Sequence, residues 1–500
     1  MHLSNSGSHT VGLAAPHRGR WGILHLAWVS FFLTFVAWYS LGAFSTTIAR
    51  VLQLTKEQSQ VLLLCNLALT IPARVGVGML VDRFGPRKVY TALLIFACIP
   101  CIGAAVAHQF WQMVICRLLI SCVGAGFVVG IRLVGEWFDA REIGTAEGIY
   151  GGLGNFGMAA ATFGLPLLAI PFGANVGWRI ATAASGVLCA IWAIVFYAKA
   201  IDAPPGQEFR RPKKRGALEV TSRSALLGLI FLQVPMVLCL GITAWRLARV
   251  HFLPAWSTYI IYALLAALLV QQVMKIIRVN RTIVQGDRVP QSERYHFSQV
   301  AILCLCYAVT FGGELAVEQM LPAYFEKMFN VSVAMAGIMG AGFAFANFIA
   351  RPLGGILGDR IGRKPIMIVT LAGSTLGFLA IPLITAHWPL WAAMALVIFV
   401  GIFLMGGNGA NFCIAPLIRK PLTGQIAGLI GAYGSVGSVA FMTILLLTNT
   451  MTFFMCMAAT ALIGFLCCLL IVEPGREHRE LVSTSPGPQT EMETIALGAT

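Results

Sequence analysis

The hydrophobic residues of this chain are gathered into blocks of about twenty, the length that a helix needs to cross roughly 30 Å of hydrocarbon. Hydrophobic residues make up 58% of the sequence and charged residues 11%. A soluble chain of this length would need far more polar surface to stay in solution. Membrane barrels give short segments of alternating polarity, unlike these continuous blocks. The sequence therefore predicts an all-α polytopic membrane protein.

The blocks predict about 14 transmembrane helices. The first group lies at 22–48, 59–81, 89–107, 110–135, 146–171 and 178–200. Two further blocks, which we call the hairpin, lie at 224–248 and 255–277. The last group lies at 299–325, 334–357, 365–386, 389–416, 424–447 and 450–472. An even number of spans returns the end of the chain to the side on which it began.

Basic residues mark one side of the membrane. The formal net charge is +15, from 35 Lys and Arg against 20 Asp and Glu. The basic residues lie in alternate loops, such as Arg83, Arg87 and Lys88 after the second block. They are therefore topology signals rather than a nucleic-acid surface. We expect a multi-pass protein of the inner (cytoplasmic) membrane, embedded in lipid, with both termini in the cytoplasm.

Residues that carry catalytic or metal chemistry do not form a pattern in the spans. The 13 Cys residues lie mostly inside apolar blocks without metal-ligand spacing, so we interpret them as small hydrophobic residues. No His/Glu cluster or nucleophile constellation stands out in the spans. We expect no metal, no cofactor and no enzymatic activity.

An internal repeat appears at an offset of about 280 residues, as parallel-repeat transporters show. Residues 73–85 align with 350–362, and seven of the thirteen aligned positions are identical. Two six-helix halves with a site between them near the membrane midplane are typical of rocking transporters. We predict a cytoplasmic N-terminal segment (1–20), a first half (21–200), a central linker containing the hairpin (201–297), a second half (298–474) and a disordered cytoplasmic tail (475–500).

Each half carries the same charged loop after its second helix. The first loop contains Asp82 and Arg83, and the second contains Asp359 and Arg360. This motif resembles the loop between the second and third helices of each half in the major facilitator superfamily, and the resemblance covers nearly the whole chain. We expect each Asp to pair with its neighbouring Arg or with a nearby helix end. Such a contact locks one state of a rocking cycle and acts as a gate.

Arg74 and Arg351 each precede the loop aspartate by eight residues, which is roughly 12 Å along a helix. Arginine at this depth needs a cavity or a partner. The repeat brings the two towards the axis between the halves, and their own helices offer no acidic residue at that depth. A guanidinium binds planar oxyanions through forked donors. The pair predicts a clamp for a small anion, and ion pairing with other helices is the alternative.

Glycines recur at spacings of three and four residues in 148–157, and a related run occupies 428–437. In lipid such spacing is typical of close helix packing. The segment 151–155 also resembles the signature of the nitrate/nitrite porter branch of the superfamily. The signature glycines are Gly151, Gly152 and Gly154 in the first half and Gly431 and Gly434 in the second.

The resemblance implies further binding residues. Arg74 and Arg351 match the two substrate-binding arginines of the family, and Asn155 matches its signature asparagine. The remaining pocket residues of the family are matched by Phe127 in the fourth span and by Tyr307 and Phe311 in the span 299–325. The resemblance implies a nitrate held flat between the two Phe rings while Arg and Tyr donate to its oxygens. Asn408 and Asn411 either line the path or make interhelical hydrogen bonds.

The energy source is left open by the sequence. Exchange of nitrate for nitrite needs no titratable group, whereas proton-coupled uptake needs a carboxylate or His that changes protonation. Glu314 and Glu318 lie four residues apart just beyond Phe311 and are candidates for a proton relay, or they neutralise a basic group across the bundle. Glu136, four residues after Arg132, is typical of an intrahelical ion pair or gate.

We therefore expect a monomeric secondary transporter of nitrate, nitrite or both, with protons as a further partner in the case of symport. The alternatives are a carrier for another small or organic anion, and a non-transporting sensor built on a carrier fold. The two charged loops and the arginine pair favour the transporter, because a sensor does not need a two-sided gate.

Overall fold

A computed structural model of the protein describes residues 19–214, 216–286 and 289–473. The predicted N-terminal segment (1–20) lies almost wholly outside the described residues, and the predicted tail (475–500) lies entirely outside them. Within the described ranges the chain is helical and contains no β-strand. The all-α class is confirmed.

Helices make up most of residues 19–200 and part of the linker. The first half contains α1 (Arg20–Tyr39), α2 (Ser45–Val51), α3 (Lys56–Ala68), α4 (Thr70–Phe84), α5 (Pro86–Ala105), α6 (Phe110–Ser121), α7 (Gly126–Trp137), α8 (Ile143–Ala169) and α9 (Gly173–Lys199). The linker contains α10 (Arg223–Phe231), α11 (Gln233–Arg249), α12 (Ala255–Val279) and α13 (Arg281–Gln285).

The second half repeats this pattern of long helices. Its helices are α14 (Phe297–Phe329), α15 (Val333–Phe345), α16 (Asn347–Arg360), α17 (Arg363–Ala380), α18 (Leu390–Ile418), α19 (Thr423–Leu447) and α20 (Thr450–Cys468). Short 3-10 turns join several of them, as at Cys122–Ala125 between α6 and α7.

Among the described residues, 13 helices are long and apolar enough to cross a membrane. The predicted span 334–357 is not one of these, and within it α15 ends and α16 begins on either side of Ala346. The second span is divided in the same way by Leu69, between α3 and α4. Both interruptions lie five residues before the predicted clamp arginines, Arg351 and Arg74, so the repeat extends to the shape of the helix.

Glycines allow two helix pairs to cross between the halves at close range. Helix α8 packs along α16, and α19 packs along α4. A Cβ added at Gly148 would lie 3.0 Å from Cα of Pro352, and one added at Gly428 would lie 3.3 Å from Cα of Gly78. Larger residues at these points would hold the helices apart. The predicted packing role of the glycine runs is therefore present.

The hairpin lies at the edge of the bundle. Helix α11 contacts α3 and α19, and the Tyr433 hydroxyl of α19 donates to the Leu232 carbonyl at 2.9 Å. Helix α12 packs on α11, and its large side chains point outwards: Trp256 is 67% exposed and Tyr259 72%. An apolar helix exposed in this way has the surface that lipid contact requires. The hairpin therefore packs at the periphery of the bundle.

Candidate anion-binding site

Arg74 lies in the first turns of α4 and is fully buried. Its Nη1 donates to the carbonyl of Gly431 at 2.5 Å, and its Nε donates to the carbonyl of Gly124 at 3.3 Å. Its Nη2 has no hydrogen-bond partner among the described residues. Two backbone carbonyls from opposite halves therefore fix this guanidinium and leave one nitrogen free to donate.

Arg351 occupies the equivalent position in α16 and is also buried. Its Nη2 donates to the Tyr307 hydroxyl at 3.3 Å, and its Nη1 has no partner in the described part of the chain. Its Cζ lies 5.2 Å from the ring centre of Phe127. This arginine is oriented by side chains and, like Arg74, presents an unused donor.

The two guanidinium groups converge on one ring. The ring centre of Phe311 lies 5.0 Å from Cζ of Arg74 and 6.0 Å from Cζ of Arg351. None of the ion pairs formed between described residues includes either arginine. The alternative of buried ion pairing is therefore not realised here. Two buried cations without an acidic partner form a site that is suited to an anion.

Aromatic rings surround the guanidinium groups. Tyr307 is parallel to Phe311, with ring centres 5.0 Å apart, and to Phe127, with centres 6.3 Å apart. Phe412 of α18 meets Phe127 and Tyr307 edge-on, at 4.6 and 4.8 Å. The three predicted aromatic residues are brought together. Phe412 was missed, although its position directly after Asn411 was a signal.

Asn155 adds amide groups to the same region. It is 2% exposed, and both its Nδ2 and its Oδ1 lack partners among the described residues. It follows Gly151 by one turn of α8, on the face that approaches Arg351. Leaving a buried amide unpaired costs about 1–3 kcal/mol. A ligand that accepts from Asn155 and from the free arginine nitrogens would remove that cost.

The signature glycines make room for the site as well as for helix packing. A Cβ at Gly151 would lie 2.5 Å from Nε of Arg351, and one at Gly431 would lie 3.2 Å from Cδ of Arg74. A Cβ at Gly434 would meet the Phe311 ring at 2.7 Å. Each half thus provides the space that the arginine of the other half occupies. The remaining two signature glycines serve packing, with Gly152 against Pro352 and Gly154 against Phe31.

Asp82 lies at the loop end of α4 and holds the start of α19. Its Oδ1 and Oδ2 accept from the amides of Gly424 and Gln425, both at 2.9 Å. The first amides of a helix are donors without helical partners, and a carboxylate satisfies them. Arg132 of α7 donates to Asp82 Oδ1 at 2.9 Å, with both side chains fully buried. The contacts of Asp82 with Gly424 and Gln425 join the first half to the second.

Asp359 makes the equivalent contact in the other direction. Its carboxylate accepts from the amides of Gly144 and Thr145, at 3.0 and 2.6 Å, in the first turn of α8. Arg363 pairs with it at 3.3 Å and also donates to the carbonyl of Ala140. Each loop aspartate therefore caps a helix of the opposite half.

The predicted partners Arg83 and Arg360 do not pair with these aspartates. Both are exposed, and Arg83 lies over the ring of Phe84, 4.7 Å from its centre. Consecutive residues on a helix point about 100° apart and do not face each other, and both Asp–Arg pairs lie inside a helix. Of the two expectations for Asp82 and Asp359, the neighbouring-Arg pairing is wrong and the helix-end contact is present.

The contact between Asp82 and Arg132 extends into a charge network. Arg132 also pairs with Glu136 one turn along α7, so the predicted intrahelical ion pair is present. Glu136 lies 3.8 Å from Lys420, just before α19. Arg132 Nη2 donates to the carbonyl of Arg210 in the linker at 2.7 Å. The linker is thereby attached to this network, a contact that spacing in the sequence does not reveal.

Glu314 and Glu318, the predicted proton relay, have unlike surroundings. Glu314 is buried and accepts from the amides of Asn347 and Asn408, each at 2.5 Å. Glu318 is partly exposed. Asn408 therefore makes an interhelical hydrogen bond, as does Asn411, which donates to the Leu303 carbonyl at 3.1 Å. Two amide donors stabilise a carboxylate in place, and a role in coupling stays a prediction.

Asp202 lies beneath the first-half loop, just after α9. It accepts from the amide of Arg87 at 2.6 Å. Burial raises the pKa of Asp202 above its ordinary value, although this hydrogen bond and the charges of Arg87, Lys88 and Arg211 act against the shift. The second half has a similar contact, in which Glu473 accepts from the amide of Arg363 at 2.9 Å.

Comparison with known proteins agrees with this architecture. The chain matches the family model of the Major Facilitator Superfamily over residues 27–278 and 303–494, and it belongs to this superfamily of membrane transporters. The structure of the proton:xylose symporter XylE aligns with a TM-score of 0.61 at 14% identity, covering 91% of this chain and 96% of that one. The human organic anion transporter MFSD10 aligns with a TM-score of 0.59 at 12% identity, covering 90% and 99%. At these identities the similarity establishes the fold alone.

Closer relatives identify the branch. The nitrate/nitrite transporter NrtP of Nostoc punctiforme is 45% identical, over 91% of this chain and 93% of the relative. The protein of the same name from Picosynechococcus is 41% identical, with the same coverage. The chain therefore belongs to the nitrate/nitrite porter family of the superfamily. Because these relatives are named transporters, the expectation of a transporter rather than an enzyme is confirmed.

Proposed function

We propose that the protein transports nitrate, nitrite or both across the inner membrane, by alternating access around a clamp formed by Arg74 and Arg351. The names of the relatives at 41–45% identity support these substrates. The single observation that carries the proposal is the pair of buried arginines from opposite halves, each with a free nitrogen and without an acidic partner.

The chemistry of the site suits a planar, delocalised anion. Nitrate and nitrite offer in-plane oxygens to forked guanidinium donors and flat faces to aromatic rings. Phe127 and Phe311 supply the ring faces, Tyr307 a hydroxyl and Asn155 an amide. In this proposal the six residues form one pocket. Binding the anion offsets the repulsion between two buried cations and draws the halves together.

The loop aspartates form the gate. Because Asp82 and Asp359 each hold a helix of the opposite half, that end of the bundle opens only when both contacts break. We propose that this end faces the cytoplasm, which puts both termini there, and that 21–200 and 298–474 are the two rocking units. The linker 201–297 joins them and carries the peripheral hairpin.

Flux measurements on the purified protein in proteoliposomes test the proposal. We expect uptake of labelled nitrate that unlabelled nitrite inside the vesicles accelerates. A transport assay in which neither anion moves nor competes with the other would remove both anions as substrates. It would leave the carrier of a different anion and the non-transporting sensor as the remaining explanations.

The clamp is tested by Arg74→Lys and Arg351→Lys. A charge-assisted hydrogen bond contributes about 1.5–3 kcal/mol, so losing the fork lowers anion affinity by about 10- to 100-fold. Binding of nitrate to the detergent-solubilised protein and flux in vesicles measure the effect. Arg50→Lys, at an exposed position of α2, is the matched control. Normal affinity in either clamp variant would exclude that arginine from the clamp.

A further inference from the structure

One buried carboxyl of the bundle has no role in the gate or the clamp. Glu147, in the second turn of α8, is 2% exposed, and both of its oxygens lack a hydrogen-bond partner among the described residues. The other buried acidic residues of the described chain all have partners. Asp82 and Glu136 bind Arg132, and Glu314 binds two amides. Glu147 is therefore the exception among them.

The group that acts on Glu147 is a clamp arginine. Arg351 of α16 attracts the Glu147 carboxylate, and Gly151, one turn further along α8, lies against Nε of Arg351. Cys413 of α18 and Tyr150 of α8 are the other titratable neighbours. Asp359 of α16 is nearby but is occupied by the first amides of α8. Glu147 thus lies between the anion clamp and the second-half gate.

The buried and partly buried cations on α1, α7 and α9, which also pack against α8, have their own partners. Arg20 of α1 forms an ion pair with Glu142. Arg132 of α7 is held by Asp82 and Glu136, and Arg179 of α9 donates to the carbonyls of Ala105 and Ala107. Among the buried cations on the described helices that pack against α8, Arg351 has a free nitrogen, Nη1, with which it can compensate Glu147.

A carboxylate buried without a hydrogen bond costs far more than the neutral acid. A proton on Glu147 removes this cost, and so does a direct ion pair with Arg351. The ion pair between Glu147 and Arg351 can form only while no anion occupies Arg351. An anion on the clamp and a negative charge on Glu147 therefore compete for the same guanidinium.

We propose that Glu147 is the proton-binding residue of an anion:proton symport, protonated when Arg351 holds the anion and ionised when the clamp is empty. The inference rests on the proposed function of the clamp. The proton comes from water on the side from which the anion enters and leaves to water on the other side. The freed carboxylate then pairs with Arg351 and allows the empty carrier to return. One proton moves with one monovalent anion, so this step is electrically neutral.

The first test separates exchange from net uptake. Glu147→Gln mimics the protonated acid and cannot release its proton. In proteoliposomes we expect this variant to retain nitrate/nitrite counterflow but to lose accumulation driven by an inward proton gradient, by at least about tenfold. The wild type is expected to do both. Glu142→Gln, on the same segment and 45% exposed at its side chain, is the matched control and keeps both activities.

The second test measures protons directly and does not require transport. Nitrate is added to the solubilised protein in weak buffer with a pH indicator. We expect the wild type to take up about one proton per bound anion above neutral pH, and Glu147→Gln to take up none while still binding nitrate.

Each failure has a distinct signature. Proton-driven accumulation by Glu147→Gln, or wild-type flux that ignores the pH gradient, would overturn the proposal. Loss of proton-driven accumulation in Glu314→Gln together with its retention in Glu147→Gln would transfer the role to Glu314. If the wild type moves neither anion in counterflow, the proposed function fails before Glu147 is tested.

Discussion

Arg74 and Arg351 occupy equivalent places in the repeat, yet they are held in different ways. Arg74 donates to two backbone carbonyls, which neither titrate nor rotate. Arg351 donates to the Tyr307 hydroxyl and attracts the Glu147 carboxylate electrostatically. The first half therefore presents a fixed cation, and the second half presents one whose partners can change. In the proposed mechanism, the first copy of the repeat anchors the anion and the second responds to it.

The two proposed gates also differ, in burial and in the number of charged partners. The Asp82–Arg132 pair is fully buried and belongs to a network that includes Glu136. The Asp359–Arg363 pair lies nearer the surface, with side chains 6% and 8% exposed, and relies on the amides of α8. Both pairs are buried, but the Asp82–Arg132 pair is the shorter one, at 2.9 Å against 3.3 Å, and it belongs to a larger charge network, so removing one of its partners should cost more.

The largest difference between the halves is therefore expected at the gates. Asp82→Asn leaves Arg132 with one carboxylate instead of two, and we expect it to cost about 3 kcal/mol. Asp359→Asn should cost less, about 1.5 kcal/mol, because its single ion pair is longer and Asn keeps an acceptor for one amide of α8. The apparent melting temperature in detergent, measured for both variants, checks the order. Equal losses would mean that the two gates contribute alike.

The next difference concerns the glycines that face the arginines. Gly151→Ala would bring its methyl to 2.5 Å from Arg351, whereas Gly431→Ala would approach Arg74 only to 3.2 Å. Overpacking costs about 1–3 kcal/mol, so we expect Gly151→Ala to weaken nitrate binding about tenfold and Gly431→Ala less than threefold. Titration with nitrate measures both. A larger loss of nitrate affinity in Gly431→Ala than in Gly151→Ala would indicate that Arg74, and not Arg351, is the arginine whose surroundings control binding.

The smallest effect is expected at Asp202, under the first-half loop. Because burial raises its pKa, the folded state holds its proton more tightly than the unfolded chain does. Its contribution is complete below its ordinary pKa of about 3.9 and is lost as pH rises through the raised value. Asp202→Asn retains an acceptor for the Arg87 amide without this loss.

We therefore expect Asp202→Asn to gain stability relative to wild type as pH rises above about 4, by less than about 1 kcal/mol. The apparent melting temperatures of both proteins, measured over a pH series, check this. Asp139→Asn, at an exposed site, provides the control. A relative loss of stability towards neutral pH would indicate that ionised Asp202 supports the fold.

The spans, the repeat and the convergence of Arg74 and Arg351 follow from the sequence, because apolar length and the depth of a charge are local properties. The partners of those residues are not local. Asp82 meets Arg132 fifty residues later and α19 in the other half. Packing decides which face of a helix meets which neighbour. Arg83 and Arg360 are excluded as partners because they follow the aspartates directly on the same helix and point away from them.

Glu147 illustrates the remaining gap. In the sequence it lies near the beginning of a helix, where an acidic residue is commonplace because it favours the helix dipole. Its burial depends on the close approach of α8 and α16, where a Cβ at Gly148 would touch Pro352. The same approach gives Gly151 its contact with Arg351. A role that depends on contact between segments far apart in the sequence cannot be recognised from the spacing of the residues.

The reciprocal fit of each glycine with the arginine of the opposite half has a consequence for how such proteins change over time. A substitution at Gly151 alters the space around Arg351, and one at Gly431 alters the space around Arg74. Neither half is an independent module, although the two share an ancestral pattern. Chimeras that join one half of this chain to the complementary half of a distant homologue should work only when both partners of each pair are inherited together.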